Sequence, residues 1–307
     1  MRVTVCATMK TALKWIASLA LLGASVYLLD WHSLVALTAK LSPWAFVAAV
    51  LLAAAPLLPL LARWHSLTGG GEGWYFCSAR YLTANLLNLV SPGNLGGDVY
   101  RYFAFRTAER TGASLVTILV RERLLGLMSM LVGLSGAAAM LELAAAPAPQ
   151  PFTRSLGLLA AAGLATLLLL PALLGRFSIP EPWRGHLRTA FSMGASSGTA
   201  HLLGWSLVAL GLWLVAVQFI ANQLGLEISW LVLMVVVTSV ELVRTVPLTI
   251  QGIGLREGAF ASLLALFGYA PESGFILGAA AYLALNLALV VTGAIGAVML
   301  GRPDTPD

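Results

Sequence analysis

Charged side chains are scarce in this chain: only 10% of its 307 residues are Asp, Glu, Lys or Arg, against about 25% in a soluble globular protein. A water-facing surface cannot be covered at that density. Nor is there a polar block long enough to form a separate soluble domain between Leu13 and Leu300. Cysteine is nearly absent too: Cys6 and Cys77 stand alone without CxxC spacing, which supports neither a disulfide framework nor a structural zinc site. His32, His65, His186 and His201 are scattered without ligand spacing, so no metal and no other cofactor is expected. A Walker-type phosphate loop, a serine elbow and an HExxH motif are all missing. The net charge of +5 would suit an anionic partner, yet most of the Lys and Arg residues lie in short segments between apolar runs, where they set topology. Nucleic acid is therefore not an expected partner.

What the chain has in abundance is apolar sequence, at 59%. A membrane-spanning helix needs about 20 largely apolar residues. Six stretches qualify: Leu13–Leu29, Pro43–Ala62, Leu124–Leu143, Leu156–Leu174, His201–Asn222 and Phe275–Leu300. Arg2, Lys10 and Lys14 precede the first in the manner of a signal peptide, but no small-residue cleavage site follows it and further spans come after, so it reads as an uncleaved span.

Two more apolar segments are interrupted. Tyr81–Phe105 is broken by Ser91-Pro92-Gly93-Asn94-Leu95-Gly96-Gly97-Asp98, and Ser229–Phe267 by Pro247-Leu248-Thr249-Ile250-Gln251-Gly252-Ile253-Gly254. Proline and glycine end helices, and the backbone groups they free are tolerated at membrane depth only inside protein or beside a wet cavity. Both segments are thus expected to be helical hairpins that dip into the membrane, with Pro92, Gly93, Gly96, Gly97, Pro247, Gly252 and Gly254 forming loops and hinges.

Charge placement orients this arrangement. With a cytoplasmic N-terminus, and with both hairpins returning to the side they left, 14 of the Lys and Arg residues fall on the cytoplasmic side, Lys40 and Arg154 fall outside, and Arg244 and Arg256 lie in the second hairpin. Each half then reads span, span, hairpin, span. Three crossings per half is an odd number, so the halves must be inserted upside down relative to each other, as in many secondary transporters. The expectation is an all-α polytopic membrane protein: one transmembrane domain over residues 1–307, about six full spans plus two re-entrant or broken hairpins, and inverted repeat halves at 1–150 and 151–307. Both termini would face the cytoplasm of a bacterial inner membrane.

The ionisable residues inside these segments are the candidate site. A helix opening near Gly97 would aim free N–H groups at whatever occupies the first loop, which would suit an anionic head group. Asp98 and Arg101, three apart, share a helix face; a packed turn with an ion pair reads the same spacing equally well. Glu241 and Arg244 follow the apolar run Trp230–Val240, where a charge costs about 2.5–3.5 kcal/mol and marks either a pathway or an internal salt bridge. Arg256 and Glu257 open the helix after the second loop. Arg121-Glu122-Arg123 lies just before the third full span and fits interfacial anchoring.

At these residues the chain resembles the flippase-like transmembrane domain of lysylphosphatidylglycerol synthases, which also occurs as stand-alone membrane proteins. Pro92, Gly97, Asp98 and Arg101 match one motif of that family, Glu122-Arg123 a second, and Pro247, Gly252, Gly254 and Glu257 a third. Gly126 stands where Asp is common, and Ile250-Gln251 where Pro-Gly is often seen. No soluble aminoacyl-transferase domain follows Leu300, so the resemblance implies the translocase part alone. It implies movement of a lipid; an enzyme is not expected, because the sequence offers no defined nucleophile or metal site. The expected site is Asp98, Arg101, Glu122, Arg123, Glu241, Arg244, Arg256 and Glu257: Arg101, Arg244 and Arg256 would neutralise an anionic or zwitterionic head group, while Asp98, Glu241 and Glu257 would hold those arginines or couple to protons. Membrane lipids are the expected partners. The alternative is a non-catalytic accessory subunit that supplies a lipid-linked substrate to a separate lipid-modifying enzyme or glycosyltransferase.

Overall fold

Helix starts are written locally in this chain. Ser42, Thr111 and Ser229 each adopt an extended conformation and accept the backbone N–H three residues on, while Pro43 and Pro271 occupy first-turn positions where a missing N–H costs nothing. The computed structural model describes residues 31–91, 95–107, 110–144, 150–174, 185, 197–245 and 252–301. In chain order the helices are α1 (Trp31–Lys40), α2 (Pro43–Ala54), α3 (Leu57–Leu67), α4 (Trp74–Val90), α5 (Gly96–Ala104), α6 (Gly112–Leu143), α7 (Gln150–Leu174), α8 (Ser197–Gln223), α9 (Trp230–Arg244), α10 (Leu255–Leu266) and α11 (Pro271–Leu300).

Five stretches are long and apolar enough to cross a bilayer: Pro43–Leu67, Gly112–Leu143, Pro151–Leu169, Gly198–Gln223 and Pro271–Leu300. They correspond to five of the six expected spans, while Leu13–Leu29 lies outside the described residues. The chain is an all-α, multi-pass membrane protein. Pro43–Leu67 combines α2 and α3, which are separated only at Ala55-Pro56. The third span starts earlier than its apolar core suggests, at Gly112 rather than Leu124, because Thr111 caps a helix that runs on through the charged triplet Arg121-Glu122-Arg123. Large apolar side chains face outward, Trp44 at 83% exposure and Leu143 at 87%, as a hydrocarbon solvent allows.

Side-chain contacts identify the two ends of the bundle. At one end the Tyr75 hydroxyl donates to the Met299 carbonyl at 3.1 Å, and Glu72 takes both Arg80 (2.8 Å) and Arg110 (3.4 Å). At the other, the Tyr269 hydroxyl donates to the Glu227 carbonyl at 2.9 Å. The first interrupted segment, α4 and α5, therefore starts beside the end of α11 and comes back to that end before Arg110. The second, α9 and α10, starts just after Glu227 and comes back by Tyr269 at the opposite end. Both interruptions are hairpins that return, and they enter from opposite ends. The first begins at Trp74, seven residues before the boundary read from hydropathy.

Packing is alike in the two halves. The hairpin helix α4 lies along α11, and α9 lies along α6; α2 touches α11, and α8 touches α6; α2 and α3 both lie against α8. The main core fills the space among α2, α6, α8, α9, α10 and α11, and includes Trp213, Ile220, Val236, Phe260 and Tyr282. A smaller cluster of Leu61, Trp64, Tyr81, Phe105 and Leu115 holds the first hairpin against α3 and α6.

The first hairpin closes through glycine. A Cβ on Gly97 would collide with the Ala84 carbonyl oxygen and lie 2.7 Å from the Asn88 side chain. Gly97→Ala is thus expected to cost about 1–3 kcal/mol, as overpacking against backbone does. Gly136→Ala, within α6 and with open space around it, should leave stability equal or slightly raised. Thermal unfolding in detergent distinguishes the two, and equal melting temperatures would show that the hairpin is looser than this contact.

Candidate functional site

Two charge clusters and the cavity between them make up the candidate site. In the first, Asp98 and Arg101 share a face of α5 and pair as their spacing predicts. Arg101 also binds Glu122 of α6, and Glu122 takes Arg63 of α3 at 3.2 Å. Arg123 closes the chain on Asp98, with its Nε donating to Oδ2 at 2.9 Å. Five charged groups from three helices are joined, three arginines to two carboxylates. Arg101 is stacked over Trp64 at 4.5 Å and over Tyr81 at 5.4 Å, and Tyr81 donates to Glu122 at 3.4 Å. Arg63 reaches the second half by donating to the Ser206 hydroxyl on α8 at 2.8 Å.

The second cluster is centred on Tyr282 of α11. Its hydroxyl donates to Glu241 at 2.8 Å, and Glu241 pairs with Arg244 at 3.0 Å. The ring carries Arg256 at 4.4 Å and Arg244 at 5.5 Å. Glu257 accepts the Arg256 Nε and the Gly254 backbone N–H, both at 2.8 Å, so it caps α10 as well as pairing. Gly252 and Gly254, at φ +75° and +79°, make the left-handed turn that leads into α10.

A cavity of about 330 Å³ lies between the clusters. The last turns of α4 reach it through Asn85 and Asn88, the end of α9 through Glu241 and Arg244, α3 through Arg63 and α11 through Asn286. Asn286 is about half-way along α11. The last turns of α4 and α9, the first helix of each hairpin, therefore border one space, well inside the bundle and lined by charges of both signs.

Of the eight expected site residues, Glu241 and Arg244 line this cavity. Asp98, Arg101, Glu122 and Arg123 connect to it through Arg63, and Arg256 and Glu257 through Tyr282. The eight form two networks on either side of the cavity and do not converge as one group. Three finer expectations are corrected. The amides of Gly96 and Gly97 are not free for a ligand, because Ser91 Oγ and Asn88 Oδ1 accept them at 2.8 Å each. Glu122 is not an interfacial anchor, since it is only 5% exposed and holds two buried arginines. Arg121 donates to Thr199 of α8 at 3.1 Å instead of snorkelling alone. Pro92, Gly93 and Pro247 lie outside the described residues.

Sequence reasoning missed Arg63, Tyr282 and Asn286. Arg63 directly follows an apolar run and looks like any topology-setting cation. Asn286 did offer a signal, as a carboxamide in the middle of the run Phe275–Leu300, where hydrocarbon gives it no partner.

The chain matches the family described as the lysylphosphatidylglycerol synthase TM region over residues 12–299. Neither a curated protein nor a solved structure matches it.

Proposed function

The chain belongs to the lysylphosphatidylglycerol synthase TM-region family, and from that premise we propose that it is a transporter that moves a polar lipid head group between leaflets while the acyl tails stay in hydrocarbon. The observation that supports this reading is the cavity bordered by the last turns of α4 and α9, one from each of two oppositely inserted hairpins, with Arg63, Glu241 and Arg244 on its wall. A polar head group stalls in a bilayer for want of partners, and a cavity of mixed charge half-way across supplies them. In this reading the two halves form an inverted repeat, and rocking one against the other exposes the cavity to each side in turn. The clusters around Glu122 and Tyr282 keep each hairpin rigid while it moves. An anionic or zwitterionic head group fits the paired charges, with Arg244 the first contact for phosphate.

The test is translocation of tail-labelled lipids in liposomes that hold the purified protein; a rate no higher than in protein-free liposomes, for every lipid, overturns the proposal. Orientation in a bacterial inner membrane, with both termini cytoplasmic, is part of the same reading. In a variant lacking Cys6 and Cys77, Lys40→Cys should react with a membrane-impermeant maleimide added outside intact spheroplasts, and Gly73→Cys should react only after lysis. The reverse pattern would invert the topology.

A further inference from the structure

The charged groups on the cavity wall are already matched. Arg244 lies 3.0 Å from Glu241, and Arg63 lies 3.2 Å from Glu122. The rest of the polar wall is the carboxamides of Asn85, Asn88 and Asn286, the Trp213 indole, and the Ser129 and Ser206 hydroxyls, which donate to the Gly126 and Leu202 carbonyls. A carboxamide donates and accepts, whereas a phosphate only accepts and an ammonium only donates. The group that matches it in both directions is a hydroxyl. Unpartnered donors lie in the same wall: Trp213 Nε1, Asn85 Nδ2 and Arg63 Nε are buried without a hydrogen-bond partner among the described residues, and all three residues border the cavity. Trp213 is 6% exposed and Arg63 5%, so bulk water does not serve those N–H groups. Buried donors without partners require acceptor oxygens.

Resting on the transport reading, we propose that the cavity takes a hydroxyl-bearing head group, a polyol or a sugar, in preference to a bare phosphate or an ethanolamine. Asn85 and Asn286 read the hydroxyls, Trp213 and Arg63 donate to their oxygens, and Arg244 holds a phosphate where one is present. Asn88 has its Oδ1 committed to the Gly97 amide and ties the end of α4 to the start of α5. At about 330 Å³ the space is at the small end of ligand sites, suited to a head group without its tails.

Native mass spectrometry of the purified protein, with lipids of matched acyl chains, tests the preference directly. Phosphatidylglycerol and a monoglucosyl diacylglycerol should each bind about tenfold more tightly than phosphatidic acid and phosphatidylethanolamine, because a site built for hydroxyls rejects analogues that leave its polar groups unpaired. Asn85→Leu and Asn286→Leu should each remove most of that preference while phosphatidic acid binding stays within about twofold. Equal binding of all four lipids to the wild-type protein overturns the inference, and that comparison needs no variant to fold. Tail-labelled versions in liposomes separate the two readings. Hydroxyl-selective binding without movement overturns transport and keeps the inference; movement of all four at one rate keeps transport and overturns the inference. Glycerol phosphate and methyl glucoside form the soluble arm. Stabilisation by these, with no lipid bound, would assign the same hydroxyl chemistry to a free polyol and overturn the lipid assignment.

Discussion

Glu122→Gln is expected to cost about 3–5 kcal/mol of stability, the penalty for removing one partner from a buried ion pair. The substitution keeps the shape and removes the charge. Glu122 is 5% exposed, and the side chains of Arg63 and Arg101, its partners, are each 6% exposed. Without the charge, Arg63 is left with the Ser206 hydroxyl and a neutral carboxamide oxygen, and Arg101 keeps Asp98 and the faces of Trp64 and Tyr81. A solvent-exposed pair would contribute at most about 1 kcal/mol, so the size of the loss decides between a dry network and a wet one. Denaturation of the detergent-purified protein measures it, and a loss below about 1 kcal/mol would mean that water enters the cluster. Glu122→Asp, which keeps the charge on a shorter arm, should recover part of the stability.

Arg244→Ala is expected to slow lipid translocation by about ten- to a hundredfold while the protein remains folded. A hydrogen bond to a charged group contributes about 1.5–3 kcal/mol, and each 1.4 kcal/mol is a factor of ten. Stability should fall as well, by about 1–3 kcal/mol, because Glu241 is buried and loses its cation. The Arg244 side chain is 25% exposed on the cavity wall, and its loss leaves Glu241 with the Tyr282 hydroxyl. Arg256→Ala provides the contrast. Its side chain is 6% exposed, does not line the cavity, and is held between Glu257 and the Tyr282 ring, so its removal should act chiefly on stability. Unchanged transport by a folded Arg244→Ala protein, measured with tail-labelled lipid in liposomes, would place the head group elsewhere.

These two expectations divide residues that looked equivalent in the sequence. Spacing brought out Asp98 with Arg101 and Glu241 with Arg244, because three residues along a helix is a neighbouring position and the geometry is local. It had no means of pairing Arg63 with Glu122, 59 residues away, or Tyr282 with Glu241, 41 residues away. Such contacts depend on which helix lies beside which. The anchoring role read for Glu122 failed for that reason: beside Arg121 and Arg123 it looked interfacial, but the early start of α6 and the approach of α3 and α5 make it a buried centre.

Composition and charge placement by themselves determined that this chain is helical and crosses a membrane several times, that it is interrupted twice near Pro92 and Pro247, and that the interruptions enter from opposite sides. Those are consequences of solvent: apolar length, the backbone's need for internal hydrogen bonds and the bias in basic residues are all readable along one dimension. Only the tertiary structure decided that the last turns of α4 and α9 border one cavity, that the ionisable residues split into two networks around it, and that Asn85 and Asn286 stand in its wall. Side chains far apart in sequence meet by packing, and at membrane depth a polar group's role is set by the partner that packing brings to it.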